Sequence, residues 1–191
     1  MGQWIAEHWV AWNLLLALVP LGIAVVLFAH TRPHPRTTKT SATWWAGVAV
    51  FVAFLPNAPY VITDLIHLRT SLSSEHPGLV FAKFGVLVVG GSLAYVACIA
   101  LLRGWLHSFA THTWPIEVTL HALCTIGIAL GRIFRFNTWD LVIQPHSVAG
   151  AIGVPTVRHT LVLGCVFALL CCASVAVRLP LGIRAGRPHT H

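Results

Sequence analysis

Five stretches of the chain are apolar for about the length of a bilayer crossing, and what separates them is short and polar. A helix needs about 20 predominantly apolar residues to traverse the hydrocarbon core. Residues 9–29, 44–62, 79–102, 114–130 and 160–179 meet or approach that length. The pattern therefore predicts an all-α fold, a polytopic membrane helix bundle in a single domain with about five transmembrane helices. Within the second stretch Pro56 and Pro59 interrupt the run near its far end. Proline removes a backbone donor and restricts the residue before it, so regular helix should stop or bend there. Lys83 lies about one turn inside the third stretch, where a long side chain can snorkel to the headgroups. Leu141 to Val154 is apolar but broken by Gln144, Pro145, His146 and Gly150, which predicts that residues 141–157 form an interfacial or re-entrant segment between the last two spans, a sixth crossing being the alternative.

Composition supports lipid as the solvent. Hydrophobic residues make up 57% of the 191 and charged ones 9%, too few to clothe a water-soluble surface of this size. The formal charge of +7 resides in short Lys and Arg clusters between apolar runs. That placement reports topology and contact with anionic headgroups, and no module or base-stacking platform accompanies it, so nucleic acid is not expected as a partner. Seven basic residues fall on one predicted side (Arg32, Arg36, Lys39, Arg103, Arg178, Arg184, Arg187) and five on the other (Arg69, Lys83, Arg132, Arg135, Arg158). The bias predicts an outer N-terminus and a cytoplasmic C-terminus. Only Glu7 and no basic residue precedes the first run, which favours a retained helix over a secretory signal. The five cysteines all lie inside apolar runs without zinc or redox spacing, and neither a phosphate-binding glycine loop nor a nucleophile elbow occurs.

Candidate chemistry collects at two membrane boundaries. The end of the second span reads Asn57-Ala58-Pro59-Tyr60-Val61-Ile62-Thr63-Asp64-Leu65-Ile66-His67, and the end of the fourth reads Arg132-Ile133-Phe134-Arg135-Phe136-Asn137-Thr138-Trp139-Asp140. With five spans both ends emerge on the outer side, together with Asn13 one turn into the first. Asn13, Asn57, Asp64, His67, Arg132, Arg135, Asn137 and Asp140 are thus expected at one level of the bilayer. Residues three apart share a helical face, which would aim Asp64 with His67 and Arg132 with Arg135. Paired guanidinium groups suit a phosphate or carboxylate, so the partners expected are the bilayer and a small polar or anionic ligand such as a lipid headgroup. Two other readings stand beside this one. Asp64 or Asp140 could simply neutralise Arg132 or Arg135 and lock the second span to the fourth. Alternatively Asp64 and His67, with His146 or His159, would hold a divalent metal that activates water in a membrane-embedded hydrolase or transferase. No cofactor is required by the sequence. A small transporter would need a polar file across the membrane, for which His121, one turn after Glu117, and Ser92 are the only hints. A hydrogen-bonded core histidine is the plainer reading of His121.

Three motifs carry a family resemblance: Trp12-Asn13-Leu14-Leu15-Leu16-Ala17 with Pro20, the run FLPNAPYVITDLIHL, and LGRIFRFNTWD. Together they resemble the bacterial membrane proteins grouped as domain of unknown function 1361, over most of the chain from Trp12 to the end of the fifth span. The third motif of that family usually reads Gly-Arg-Phe followed by an Arg-Trp-Asn-Ser-Trp-Asp type run, from which Ile133, Phe136 and Thr138 are conservative departures. The resemblance implies a polytopic bacterial inner-membrane protein, with Asn13 and the two polar clusters as family signatures. It implies no activity.

Overall fold

The computed structural model describes residues 8–29, 42–72, 76–108, 112–132, 134, 136, 140–152 and 157–182. Every element among them is helical. Helix α1 (Trp9–Ala24) continues through a π-helical turn, Val25–Ala29. Helix α2 (Ala42–Phe54) is followed by a short α3 (Asn57–Tyr60), a 3-10 segment (Val61–His67) and α4 (Leu68–Leu72). Two long helices come next, α5 (Pro77–Leu106) and α6 (Trp114–Arg132). Two short ones, α7 (Asp140–Ile143) and α8 (Pro145–Ile152), lead to α9 (Val157–Gly182).

Among the described residues four runs are long and apolar enough to cross a membrane: Trp9–Ala29, Ala42–Leu65, Pro77–Leu106 and Trp114–Arg132. Within α9 the apolar run is Leu161–Val175. The expected polytopic, all-helical bundle is therefore what forms. Regular helix in the second run ends at Phe54, eight residues short of the hydropathy limit, and shorter helical segments carry on to His67. The other helical runs lie within four residues of their limits, α5 beginning two residues earlier and ending four residues later than its apolar run. Its start is set by local chemistry: Pro77 occupies the first turn, where a missing N–H costs nothing, and His76 Nδ1 accepts from Gly78 N at 3.3 Å. Helices α7 and α8 are too short to cross, as expected for the broken segment between the last long helices.

Side chains pack into the interior at two levels. At one end of the bundle Trp9, Val10, Leu14 and Ala17 of α1 cluster with Val61 and with Leu87 of α5, and the Trp9 ring lies 5.4 Å from that of Phe84. At the other end Phe28 meets Phe51 edge-on at 5.2 Å, while Trp105 of α5 stacks on Trp44 at 5.0 Å. Aromatic residues are favoured at such boundaries because they pair an apolar body with a polar tip. Between these levels Leu55, Tyr95, Cys98, Ile99 and Cys124 are buried, whereas Leu15, Val26, Val86, Val89, Leu93, Ile126, Leu161 and Leu169 face outward toward lipid.

Candidate functional site

The site begins where the second span breaks. Leu55 N still donates to Phe51 O at 2.8 Å, but Pro56 and Pro59 have no N–H to continue the ladder. Ala58 N bonds instead to Leu55 O at 3.2 Å, a tighter turn that leads into the 3-10 segment. Winding at three residues per turn stacks positions three apart in one row. Ala58, Val61 and Asp64 form such a row and all are buried. Tyr60 and Thr63 form the next.

Two glycines let this segment approach its neighbours. A methyl group at Gly127 of α6 would lie 2.5 Å from Pro56 Cγ. One at Gly91 of α5 would lie 2.5 Å from the Ala58 carbonyl oxygen and would collide with Val61. The close approach carries the 3-10 rows to the last turn of α6, where Arg132 completes the arrangement. Arg132 Nη2 makes an ion pair with Asp64 Oδ1, and its Nε donates to Thr63 Oγ1 at 2.9 Å. The Thr63 hydroxyl in turn donates to Tyr60 O at 2.5 Å, and the guanidinium lies 4.3 Å from the centre of the Tyr60 ring. A guanidinium held by a carboxylate, a hydroxyl and an aromatic face is fixed in direction as well as in charge.

The grip is incomplete in one respect. Among the described residues Asp64 Oδ2 is buried without a hydrogen-bond partner. The Asp64 side chain is 8% exposed and that of Arg132 21%, so the pair presents its arginine side to the surroundings.

The structure thus joins the second span to the fourth through Asp64 and Arg132, two of the residues expected to converge. Asn13 precedes Leu14, which packs on the Val61 cluster, so it stands at the level of the 3-10 segment. Asn57 opens α3, and Asp140 opens α7 and is partly buried with an interaction of its own. Arg135 and Asn137 lie outside the described residues, as do the side chains of His67 and His159. His146 is exposed on α8. Among the described residues no three His, Cys, Asp or Glu side chains gather as metal ligands would.

A second polar network, at the opposite end of α6, is one that sequence reasoning missed. Arg103 of α5 forms a bidentate pair with Glu117, Nε to Oε1 at 2.9 Å and Nη2 to Oε2 at 2.6 Å. Ser174 of α9 donates to Glu117 Oε2 at 2.9 Å and accepts from Arg103 Nη2 at 2.9 Å, while Thr113 donates to Glu117 Oε1 at 2.8 Å. Glu117 is 1% exposed and Arg103 5%. Arg103 therefore faces the interior instead of the headgroups assigned to it by the charge pattern. The available signal was that Glu117 is the sole acid within a predicted span and needs a cation near its own level. Between the two networks, one turn from Glu117, His121 Nδ1 shares a 2.5 Å hydrogen bond with the Tyr95 hydroxyl, and both side chains are buried. His121 is thus a hydrogen-bonded core residue.

The model of a family described as "Protein of unknown function (DUF1361)" matches residues 12–173. Neither a curated protein nor a solved structure matches the chain.

Proposed function

Because the chain belongs to the DUF1361 family, whose description assigns no activity, we propose its function from geometry: it is a multi-pass membrane protein that binds a small polar ligand with an anionic group, such as a lipid headgroup, at the Asp64–Arg132 site. The ion pair that carries this reading is buried on its carboxylate side and open on its guanidinium side. An arginine fixed by Tyr60, Thr63 and Asp64 is preorganised, so little rotamer freedom is lost when it receives an anion. Ionisable groups inside membranes are costly and generally mark function.

In this reading α9, 26 residues long, is the fifth crossing. The membrane is the bacterial inner membrane, with the N-terminus and the site outside and the C-terminus in the cytoplasm. Arg103 and Arg132 are both engaged in ion pairs and drop out of the basic count, one from each side, so the bias behind this orientation keeps its size. A membrane-impermeant maleimide added to intact cells should modify Gln144→Cys in a background lacking the native cysteines. Labelling only after the cytoplasmic side is opened would reverse the orientation.

Charge exchange tests the function. Asp64→Arg and Arg132→Asp should each lower the level of folded protein, and the double variant should restore the level without restoring binding of anionic or zwitterionic phospholipid. Full recovery of binding by the double variant would reduce the pair to a structural link between spans.

A further inference from the structure

The orphaned oxygen of Asp64 restricts what the ligand can be. A carboxylate accepts through both oxygens, and here Oδ1 is engaged by Arg132 while Oδ2 is buried and unpartnered among the described residues. Leaving a charged acceptor unsatisfied away from water is costly, so whatever fills the site should bring a donor. Arg132 has five N–H donors, of which the Nε and Nη2 bonds to Thr63 and Asp64 use two among the described residues. The site therefore offers an acceptor and several donors side by side.

Charge narrows the choice further. Asp64 and Arg132 cancel each other. Against this described pair a purely anionic ligand would add an uncompensated negative charge and set it beside the unpartnered oxygen. A lone amine would satisfy Oδ2 but leave the arginine donors unused. A quaternary ammonium balances charge yet has no N–H. A phosphate ester bearing a protonated primary amine brings both charges and the donor, and four alternating charges sum to zero.

We propose that the ligand of this site is a phosphoethanolamine group, its phosphate on the Arg132 guanidinium and its ammonium on Asp64 Oδ2. This rests on the anion-binding reading and deepens it. Asp64 lies in a 3-10 run of seven residues, longer than the three or four usual for a helix type with poorer hydrogen bonds. That segment is the element that yields to admit the ammonium.

A methylation series tests the proposal on the full-length wild-type protein. Purified protein in detergent is titrated with phospholipids of identical acyl chains, and bound lipid is counted by native mass spectrometry. The headgroups are phosphoethanolamine, its N-methyl and N,N-dimethyl forms, phosphocholine and phosphoglycerol. Binding should persist through the dimethyl form, which keeps one N–H, and fall about tenfold or more at phosphocholine. Phosphoglycerol should bind at least about tenfold more weakly than phosphoethanolamine. Asp64→Asn, whose amide can still accept from Arg132 but places a donor where Oδ2 was, should abolish the preference for phosphoethanolamine over phosphocholine. Equal binding of these two by the wild type, or a preference for phosphoglycerol, with either lost in Arg132→Gln, would overturn the amine and leave the anion-binding reading standing. Headgroup-independent binding unaffected by Arg132→Gln would remove both. Free phosphoethanolamine distinguishes the source: displacement of the lipid at comparable concentration indicates a soluble ligand, and its failure to compete indicates a lipid, either result being compatible with the amine–phosphate chemistry only when the methylation series keeps that order.

Discussion

Glu117 and Arg132 occupy the first and last turns of the same helix, and each is bonded to a different neighbour, Glu117 to Arg103 of α5 and Arg132 to Asp64 of the 3-10 segment. Fifteen residues separate them, roughly 22 Å at 1.5 Å per residue. An acid in the first turn and a base in the last also complement the helix dipole. Helix α6 is thus pinned at both ends by ion pairs that differ in character: one is closed to the surroundings, though Arg103 Nη1 is buried without a hydrogen-bond partner among the described residues, and the other is half-open. Function is better sought at the open one, and stability at the closed one.

The closed pair should behave as structure. Removing one member of a buried ion pair strands the other, at a cost of about 3–5 kcal/mol. Glu117→Leu alone should therefore sharply lower the melting temperature in detergent. Arg103→Met together with Glu117→Leu should regain most of the loss, since Ser174 and Thr113 can turn their hydroxyls to nearby backbone carbonyls. A double variant no more stable than Glu117→Leu alone would show that the charges themselves are needed. Binding at the Asp64–Arg132 site should be unchanged in the recovered double variant.

The Tyr95–His121 bond lies between the two networks and should contribute modestly. Side-chain hydrogen bonds inside membranes contribute about 0.6 kcal/mol on average and up to about 1.7 kcal/mol. A double-mutant cycle with Tyr95→Phe and His121→Leu should return a coupling energy in that range. The hydroxyl of Thr125, one turn further along α6, donates at 2.8 Å to the His121 backbone carbonyl and does not extend the side-chain line. Proton flux through liposomes should accordingly be no greater for the wild type than for Tyr95→Phe, and a difference between them would favour a transport path through this pair.

Helix limits were largely legible because charge is scarce: with 9% charged residues, most polar interruptions fall near a helix end. The break at Pro56 and Pro59 was legible for a covalent reason, the missing backbone donors. The convergence of Asp64 with Arg132 came from parity, since the second and fourth spans must end on the same side. Arg103 was misread because a basic residue near the end of an apolar run looks the same whether it faces headgroups or a buried acid. Its direction is decided by the Glu117 carboxylate of α6, with Ser174 of α9 completing the network, and which helices pack together is a tertiary fact that the local sequence around Arg103 does not carry. The 3-10 winding that places Asp64 above Val61 was likewise hidden, because proline announces where a helix stops but not the conformation the chain adopts beyond it.

Close approach at two glycines supplies a third prediction. A methyl group at Gly91 meets the Ala58 backbone carbonyl, and one at Gly127 meets the rigid ring of Pro56, so neither neighbour can rotate away. Overpacking of this kind costs about 1–3 kcal/mol. Gly91→Ala and Gly127→Ala should each lower thermal stability in detergent by that order. Gly85→Ala, where no atom lies within 4 Å of the added methyl, should not. Equal stability of all three variants would mean that the chain from Pro56 to Val61 does not press closely on α5 and α6.

Positioning and mere stability can be separated at the open pair. Thr63 accepts from Arg132 Nε and donates to the Tyr60 carbonyl, so it aims the guanidinium without needing to touch a ligand. Thr63→Val keeps the shape and removes the hydroxyl, freeing Arg132 to swing about its ion pair with Asp64. A hydrogen bond to a charged group contributes about 1.5–3 kcal/mol. Phosphoethanolamine lipid should therefore bind about tenfold more weakly to Thr63→Val, and Thr63→Ser, which retains the hydroxyl, should bind like the wild type. If Thr63 were only a packing residue, Val would be tolerated and Ser would leave a gap where the methyl was, so stability would fall in Ser and binding would hold in Val. Melting curves and lipid titrations on the same two preparations distinguish these outcomes, because the positioning role moves binding with the hydroxyl while the packing role moves stability with the methyl.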